Sequence, residues 1–313
     1  MCGVPAKYAS ASFLDCQTQN EKILVSKCPV YRNKPSAFLG RGLSIFCIFL
    51  CELCALCGKK MRMRTVKLII QYDGTNYCGW QEQANGPSIQ ETVELALAKI
   101  LGQRVRVQAA GRTDAGVHAL AMPATFRTES IIPLRAFVAG LNGFLPEDIA
   151  IQSAEEVPDD FRVIGGSHNK TYRYTIYNAR QRSPLNRRTS WHVRDQLDLD
   201  AMRSAAAHFI GKHDFAAFRG QNCTAVTSLR RIDAVEIQQQ GPLVIIDVTG
   251  GGFLKHMVRI MAGTLVDIGR GRFSPGLVAE LLQTPNRCLG GVTAPPQGLC
   301  LLRVNYPPTP FIP

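Results

Sequence analysis

From residue 66 onward the apolar residues switch between a period of two and a period of 3.6 in a fixed order, and the chain then runs through that order a second time. Residues 66 to 72 alternate as a strand. Pro87-Ser88-Ile89-Gln90-Glu91 opens a helix, because a Ser followed three residues later by Glu is the pattern that satisfies free N–H groups at a helix start. Ile89, Val93, Ala96, Leu97 and Ile100 fall on its inner face. Strands are expected at 104–110 and 122–128, then a helix from Pro133 carrying Leu134, Phe137, Val138 and Leu141, then a strand at 149–154. This β-α-β-β-α-β order is ferredoxin-like. In the second round a strand at 170–177 precedes a helix at 198–210, with Met202, Ala205, Ala206 and Phe209 inward and Gly211 at its end. Strands at 229–239 and 243–249, an apolar helix at 253–268 after three glycines, a short helix from Ser274-Pro275 and a last strand at 299–305 complete it. The expected fold class is α+β, with two ferredoxin-like, RRM-like halves at 63–169 and 170–306. Their mainly antiparallel sheets flank a basic central cleft, and 307–313 is a tail.

The 313 residues suffice for a substantial core, and 36 Lys and Arg against 24 acids, a formal charge of +12, favour a polyanionic partner such as nucleic acid. Seven of the eleven cysteines precede residue 60; Cys78, Cys223, Cys288 and Cys300 remain, a scatter that suits reduced thiols better than a disulfide framework. The run from Leu43 to Cys57 is shorter than the roughly 20 residues of a membrane helix and contains Glu52, so no membrane association is expected. Cys47, Cys51, Cys54 and Cys57 have a spacing open to a metal, yet apolar neighbours and the lack of polar supporting groups argue against one. Residues 1–62 are expected to be a disordered or artefactual extension, with Met61 or Met63 as a biological start. A targeting segment there would move an otherwise cytoplasmic protein into an organelle.

Gly111-Arg112-Thr113-Asp114-Ala115-Gly116-Val117-His118 sets one carboxylate among small residues at the end of an expected strand, with a cation two places before it. A carboxylate so placed is reachable by a bulky substrate, although a lone Asp between glycines is by itself an ordinary turn residue. The chain lacks a Gly-x-x-x-x-Gly-Lys-Ser/Thr loop, a Gly-x-Ser-x-Gly elbow and the His-x-Glu with Pro-Cys-x-x-Cys of zinc deaminases, so no metal or nucleotide cofactor is called for. Nothing near Asp114 supplies an obvious second acid. Arg180, Arg182, Arg187 and Arg188 make 179–197 a charged loop, open to phosphate contacts or plain solvation. Tyr172 in an expected strand and Arg259 in an expected helix have ordinary structural explanations when taken singly.

Together these segments resemble the tRNA pseudouridine synthase A family. The Asp114 motif is similar to its signature, and the likeness continues through Tyr72-Asp73-Gly74, Tyr77 to Gln81, Ser88 to Glu91, Pro158 to Phe161, Tyr172-Arg173-Tyr174, His213-Asp214-Phe215, Phe218-Arg219 and Met257-Val258-Arg259, over about residues 65 to 306. The resemblance implies a pseudouridine synthase fold and isomerisation of uridine to pseudouridine at positions 38 to 40 of the tRNA anticodon stem-loop, by a cofactor-free homodimer. It implies Asp114 as a nucleophile toward the sugar or the ring, or as the group that assists departure by a glycal route, Arg112 as the group that binds or flips the target nucleotide, Tyr172 stacked on the uracil with a part in removing the C5 proton, and Arg259 paired with the carboxylate. Val163-Ile164 and Gly165-Gly166 depart from the family pattern, and Met122-Pro123 does so within an expected strand. The competing readings are a non-catalytic RNA-binding protein built on the same two sheets, and a metalloprotein centred on the early cysteines.

Overall fold

The computed structural model describes residues 62–307, so the early cysteines and every expectation for the first sixty residues lie outside it. The first round consists of β1 (Arg64–Tyr72), α1 (Ile89–Leu101), β2 (Gln108–Ala109), β3 (His118–Thr128), α2 (Leu134–Phe144) and β4 (Ile149–Val157). The second consists of β5 (Asn169–Asn178), β6 (Trp191–Val193), α3 (Leu199–Ala207), β7 (Gly211–Asp214), β8 (Leu229–Gln240), β9 (Leu243–Gly250), α4 (Met257–Gly269), α5 (Leu277–Gln283) and β10 (Leu299–Asn305). One sheet contains every strand, in the order β4-β1-β3-β10-β5-β9-β8-β7, with β2 attached to β3 and β6 to β5. Each round repeats the ferredoxin-like arrangement of fourth, first, third and second strand: β4-β1-β3-β2, then β10-β5-β9-β8.

The join between rounds is a fork. β1 occupies one edge of β3 along most of its length, so β2 and β10 share the other. β10 runs parallel to β3 at only Cys300↔His118 and Leu301↔Ala119, whereas β2 pairs further along at Gln108↔Thr125 and Ala109↔Ala124. The chain leaving β2 must therefore loop across the mouth of this fork to re-enter at the start of β3. That loop is the Asp114 motif.

The helices form for local reasons visible in the chain. Ser88 Oγ accepts the Glu91 N–H at 3.2 Å, and Gly102 in the left-handed region ends α1 by donating to Ala98 O. Asp198 likewise caps α3 through the N–H groups of Asp200 and Ala201. Leu68 and Ile70 of β1, Val93 and Leu97 of α1, and Phe126, Phe137 and Leu141 are fully buried, as are Tyr174, Ile176 and Val244 with most of α4 in the second round. No helix among the described residues is long and apolar enough to cross a membrane.

Four local expectations need correction. The strand at 104–110 shrinks to Gln108–Ala109, because Val107 gives its N–H to Glu94 Oε1 (3.0 Å) and its carbonyl to Gln90 Nε2 (2.9 Å) instead of to a neighbouring strand. The helix at 198–210 stops at Ala207, and Gly211, at φ 117°, begins β7 rather than ending the helix. The helix expected from Phe253 starts only at Met257, since His256 sits at φ 61° and interrupts it. The charged loop at 179–197 contains β6, three residues paired with β5. Pro123, placed where it threatens a strand, lies inside β3 without breaking it. Its carbonyl receives Ala110 N–H, so its missing N–H points into the fork, where no strand pairs with it.

Candidate active site

Asp114 is held by the residues on either side of it. Thr113 is fixed twice, its hydroxyl 2.8 Å from Tyr72 OH and its carbonyl accepting Trp80 N–H at 3.1 Å. Asp114 O then accepts Val117 N–H at 3.2 Å in a tight turn whose third residue, Gly116, has φ 75°. Gly79 makes room for this turn: a Cβ there would lie 2.6 Å from Thr113 O, and its φ of 103° already disfavours any side chain. Behind the turn, Glu94 has only 1 % of its side chain exposed and meets Arg104 Nη2 at 3.1 Å, while Glu82 bridges Arg104 and Arg106 at 2.8 and 2.7 Å. These ion pairs hold the segment that feeds the loop, in place of the missing strand pairing.

The far side of the site comes from the second round. Every residue of α4 except Arg259 is buried, so this arginine does not lie on a solvent face of the helix. Its Nε donates to Ala294 O at 2.8 Å, which aims Nη1 at Asp114 Oδ2, 3.3 Å away. His256 Nε2 approaches the same oxygen at 3.6 Å. The alternation of β5 puts Lys170, Tyr172 and Tyr174 on one face. Tyr174 is in the core with its hydroxyl donating to Pro295 O, Tyr172 is edge-on to Phe253 with centroids 5.2 Å apart, and Lys170 Nζ crosses the fork to Ala110 O at 2.7 Å.

Asp114, Arg112, Tyr172, Lys170, Lys255 and His256 line one cavity of about 630 Å³, within the roughly 300–1,000 Å³ usual for small-molecule sites. Of the four expected site residues, Asp114, Tyr172 and Arg112 line it; Arg112 is exposed, and Arg259 reaches in through its contact with Asp114. Asp114 is the only acid among the described residues of the lining, against three Lys and Arg side chains. Burial, and next the charge of Asp114, push the Tyr172 phenol above its ordinary range. Burial likewise pulls Lys170 down, and it pulls His256 down against the opposing charge of Asp114. His256 and Lys170 are the members that sequence reasoning does not single out, although Lys170 directly precedes Thr171-Tyr172 and His256 directly precedes Met257-Val258-Arg259. The motif histidine, His118, lies behind the cavity: Nδ1 accepts Gly74 N–H at 3.1 Å, and Nε2 is 2.8 Å from Arg188 O, tying the arginine-rich loop to the Asp114 turn.

A family model described as tRNA pseudouridine synthase matches residues 68–164 and 205–307, which takes in both Asp114 and Arg259. The chain belongs to the tRNA pseudouridine synthase family. Tyr172 falls between the two matched stretches of the family model. Relatives in the family carry the name tRNA pseudouridine synthase A. That of Pelobacter propionicus is 62 % identical over 244 residues, covering 78 % of this chain and all of the relative. Those of Geotalea uraniireducens and Geobacter sulfurreducens are each 56 % identical with the same coverage of both chains.

Proposed function

We propose that this chain is a cytoplasmic tRNA pseudouridine synthase that isomerises uridine at positions 38 to 40 of the anticodon stem-loop, working as a homodimer without a cofactor. The observation that carries the reading is a single carboxylate, Asp114, contacted by Arg259 in a cavity whose other charged side chains are cations and which a buried tyrosine also lines. Hydrolysis of a glycosidic bond ordinarily uses two carboxylates, and the lining offers one. A cationic mouth with one acid inside suits a polyanion from which a single nucleoside is turned out of its stack.

The reaction exchanges one bond for another. Asp114 Oδ attacks ribose C1′ as the N1–C1′ bond breaks, and the uracil carries away the electron pair on N1. The ring turns while held against Tyr172, C5 bonds to C1′, and the Asp114–C1′ bond releases the carboxylate. C5 then loses its proton, N1 gains one, and substrate and product have the same composition. Arg112, exposed at the rim, binds the backbone of the extruded nucleotide, while Arg259 orients the carboxylate through its contact with Oδ2. Wild-type protein incubated with an anticodon stem-loop transcript in the presence of a chelator is expected to form pseudouridine, and changing the uridines at 38 to 40 to cytidine should abolish it. Binding of the transcript with no pseudouridine formed would mark a passive RNA-binding protein.

A further inference from the structure

A second cavity, of about 350 Å³, lies behind the Asp114 turn, and Tyr177, Arg182, Ser183, Arg187, His192 and Gln297 are among the residues that line it. Its size falls within the range of small-molecule sites. We propose that it is a nucleotide subsite: Arg182, Arg187 and Ser183 hold a phosphate ester, and the attached base lies against the ring of Tyr177. The inference rests on the RNA-directed reading above for the source of this ligand, and it gives the bound RNA a point of attachment outside the reacting uridine.

The two cavities use opposite faces of one strand. Tyr172 and Tyr177 are five positions apart on β5, so their side chains leave opposite faces of the sheet, roughly 17 Å apart along the strand. β6 pairs with the far end of β5 in the register Tyr177↔His192, which puts these two rings on one face with centroids 5.8 Å apart. His118 joins the second cavity to the first. Its Nε2 lies 2.8 Å from Arg188 O and 3.2 Å from Gln297 O, and a Cβ on Gly116 would stand 3.0 Å from Pro296 Cγ. RNA anchored in the second cavity is therefore held at a fixed offset from Asp114.

The polar groups of this cavity are left with hydrogens to donate. Ser183 Oγ accepts Asn186 N–H at 3.3 Å and Asn186 Nδ2 at 2.9 Å, which takes both lone pairs of the hydroxyl and leaves its hydrogen. Buried Ser190 gives its own hydroxyl hydrogen to Asn186 O at 2.8 Å, closing the loop around the cavity. Arg173, Arg203, Arg231, Arg270 and Arg272 of the same round each meet an acid. Arg182 and Arg187, exposed at the mouth, meet none among the described residues, and Arg187 Nη1 reaches Pro184 O at the outer limit of 3.5 Å. The described lining contains no acid.

Two guanidinium groups and one spare hydroxyl hydrogen suit a ligand that accepts through several oxygens at once, as a phosphate ester does. Beside them the rings of Tyr177 and His192 offer the aromatic surface on which an unstacked base rests. The imidazole is held in place by its Nε2, 2.8 Å from Ala179 O. A loop that merely carries charge into solvent needs neither a cavity nor a ring set beside its arginines.

The test compares the full chain with its double variant Arg182→Gln/Arg187→Gln by phosphate-ethylation interference on an anticodon stem-loop transcript. Wild type should show a phosphate outside the reacting nucleotide whose ethylation weakens binding, and the double variant should lose that position, with KM raised roughly tenfold and kcat little changed. Arg203→Gln removes a cation paired with Asp200 elsewhere and should keep the wild-type pattern. Tyr177→Leu should weaken binding roughly tenfold through the lost stacking surface. Adenosine 5′-monophosphate, which has no uracil to isomerise, separates the sources. If it binds wild type and not the double variant in equilibrium dialysis while the interference pattern stays the same, the subsite belongs to a free nucleotide. An unchanged pattern with no such binding would overturn the proposal, as would Tyr177→Leu protein that binds both probes like wild type. Failure of the parent reading looks different: wild type would bind the transcript and form no pseudouridine.

Discussion

The two rounds of the fold share the order of their four main strands and differ most tellingly at the connection from the second of these to the third. In the second round, β8 and β9 are 12 and 8 residues long and pair from Ile232↔Gly250 to Gln240↔Leu243, where the chain reverses at Gly241 with open space around it. In the first, the equivalent β2 has two residues, and the chain from 110 to 117 crosses the fork before β3 begins. The same topology yields a plain hairpin or a site according to where the backbone polar groups of the second strand go. In β8 they pair with β9; at Val107 they are diverted to Glu94 and Gln90. The Asp114 loop occupies the place where regular pairing stops and side chains take over its structural role.

The sharpest way to break this contrast is at the two glycines. Gly79→Ala forces a Cβ against Thr113 O at a disfavoured φ, so a loss of about 3–5 kcal/mol in urea unfolding and of roughly 10²-fold in kcat is expected. Gly241→Ala meets nothing within 4 Å and should cost about 1 kcal/mol from its φ of 58°, with turnover unchanged. Equal effects at the two sites would remove the distinction between the connections. Next, Glu94→Gln leaves one acceptor oxygen for Val107 N–H but replaces the other with an NH2 group and removes the charge that meets Arg104, with about 2–3 kcal/mol of stability lost. Glu236→Ala on the exposed side of β8 should stay within about 0.5 kcal/mol by the same melt.

Within β5 the comparison narrows to two residues apart. Tyr174→Phe orphans Pro295 O and is expected to cost about 1 kcal/mol in urea unfolding. Tyr172→Phe keeps the ring that lines the cavity and should hold stability within about 0.5 kcal/mol by the same measurement. The smallest effects belong to the loop behind His118. Arg182→Gln and Arg187→Gln should each weaken transcript binding and lower the slope of log K against log salt by about one for every phosphate no longer neutralised.

What is legible in the chain divides along physical lines. Helix α1 and strand β10 are legible because their signals are local: Ser88 and Glu91 mark a helix start, and the short apolar run from Leu299 to Leu302, followed by Arg303-Val304-Asn305, marks a strand. The strand expected at 104–110 is too long because alternation of Arg104 and Arg106 with Val105 and Val107 has the same period whether the charges face water or reach Glu82 and Glu94. Three-residue β6 is too short to show a period and is masked by arginines. At the site, Asp114 stands out by its glycines, whereas its meeting with Arg259, 145 residues away, depends on the fork closing and is foreseen only through family resemblance. His256 is silent in the sequence because its signal is a backbone angle, not a residue pattern.

Single-turnover pseudouridine formation by Asp114→Asn tests most directly whether the carboxylate that this loop carries across the fork is the nucleophile. The variant has nearly the same shape, so it should melt and bind the transcript like wild type while the rate falls by at least about 10³-fold. A properly folded Asp114→Asn protein that forms pseudouridine at the wild-type rate would contradict the claim and leave the cavity as no more than a grip for RNA.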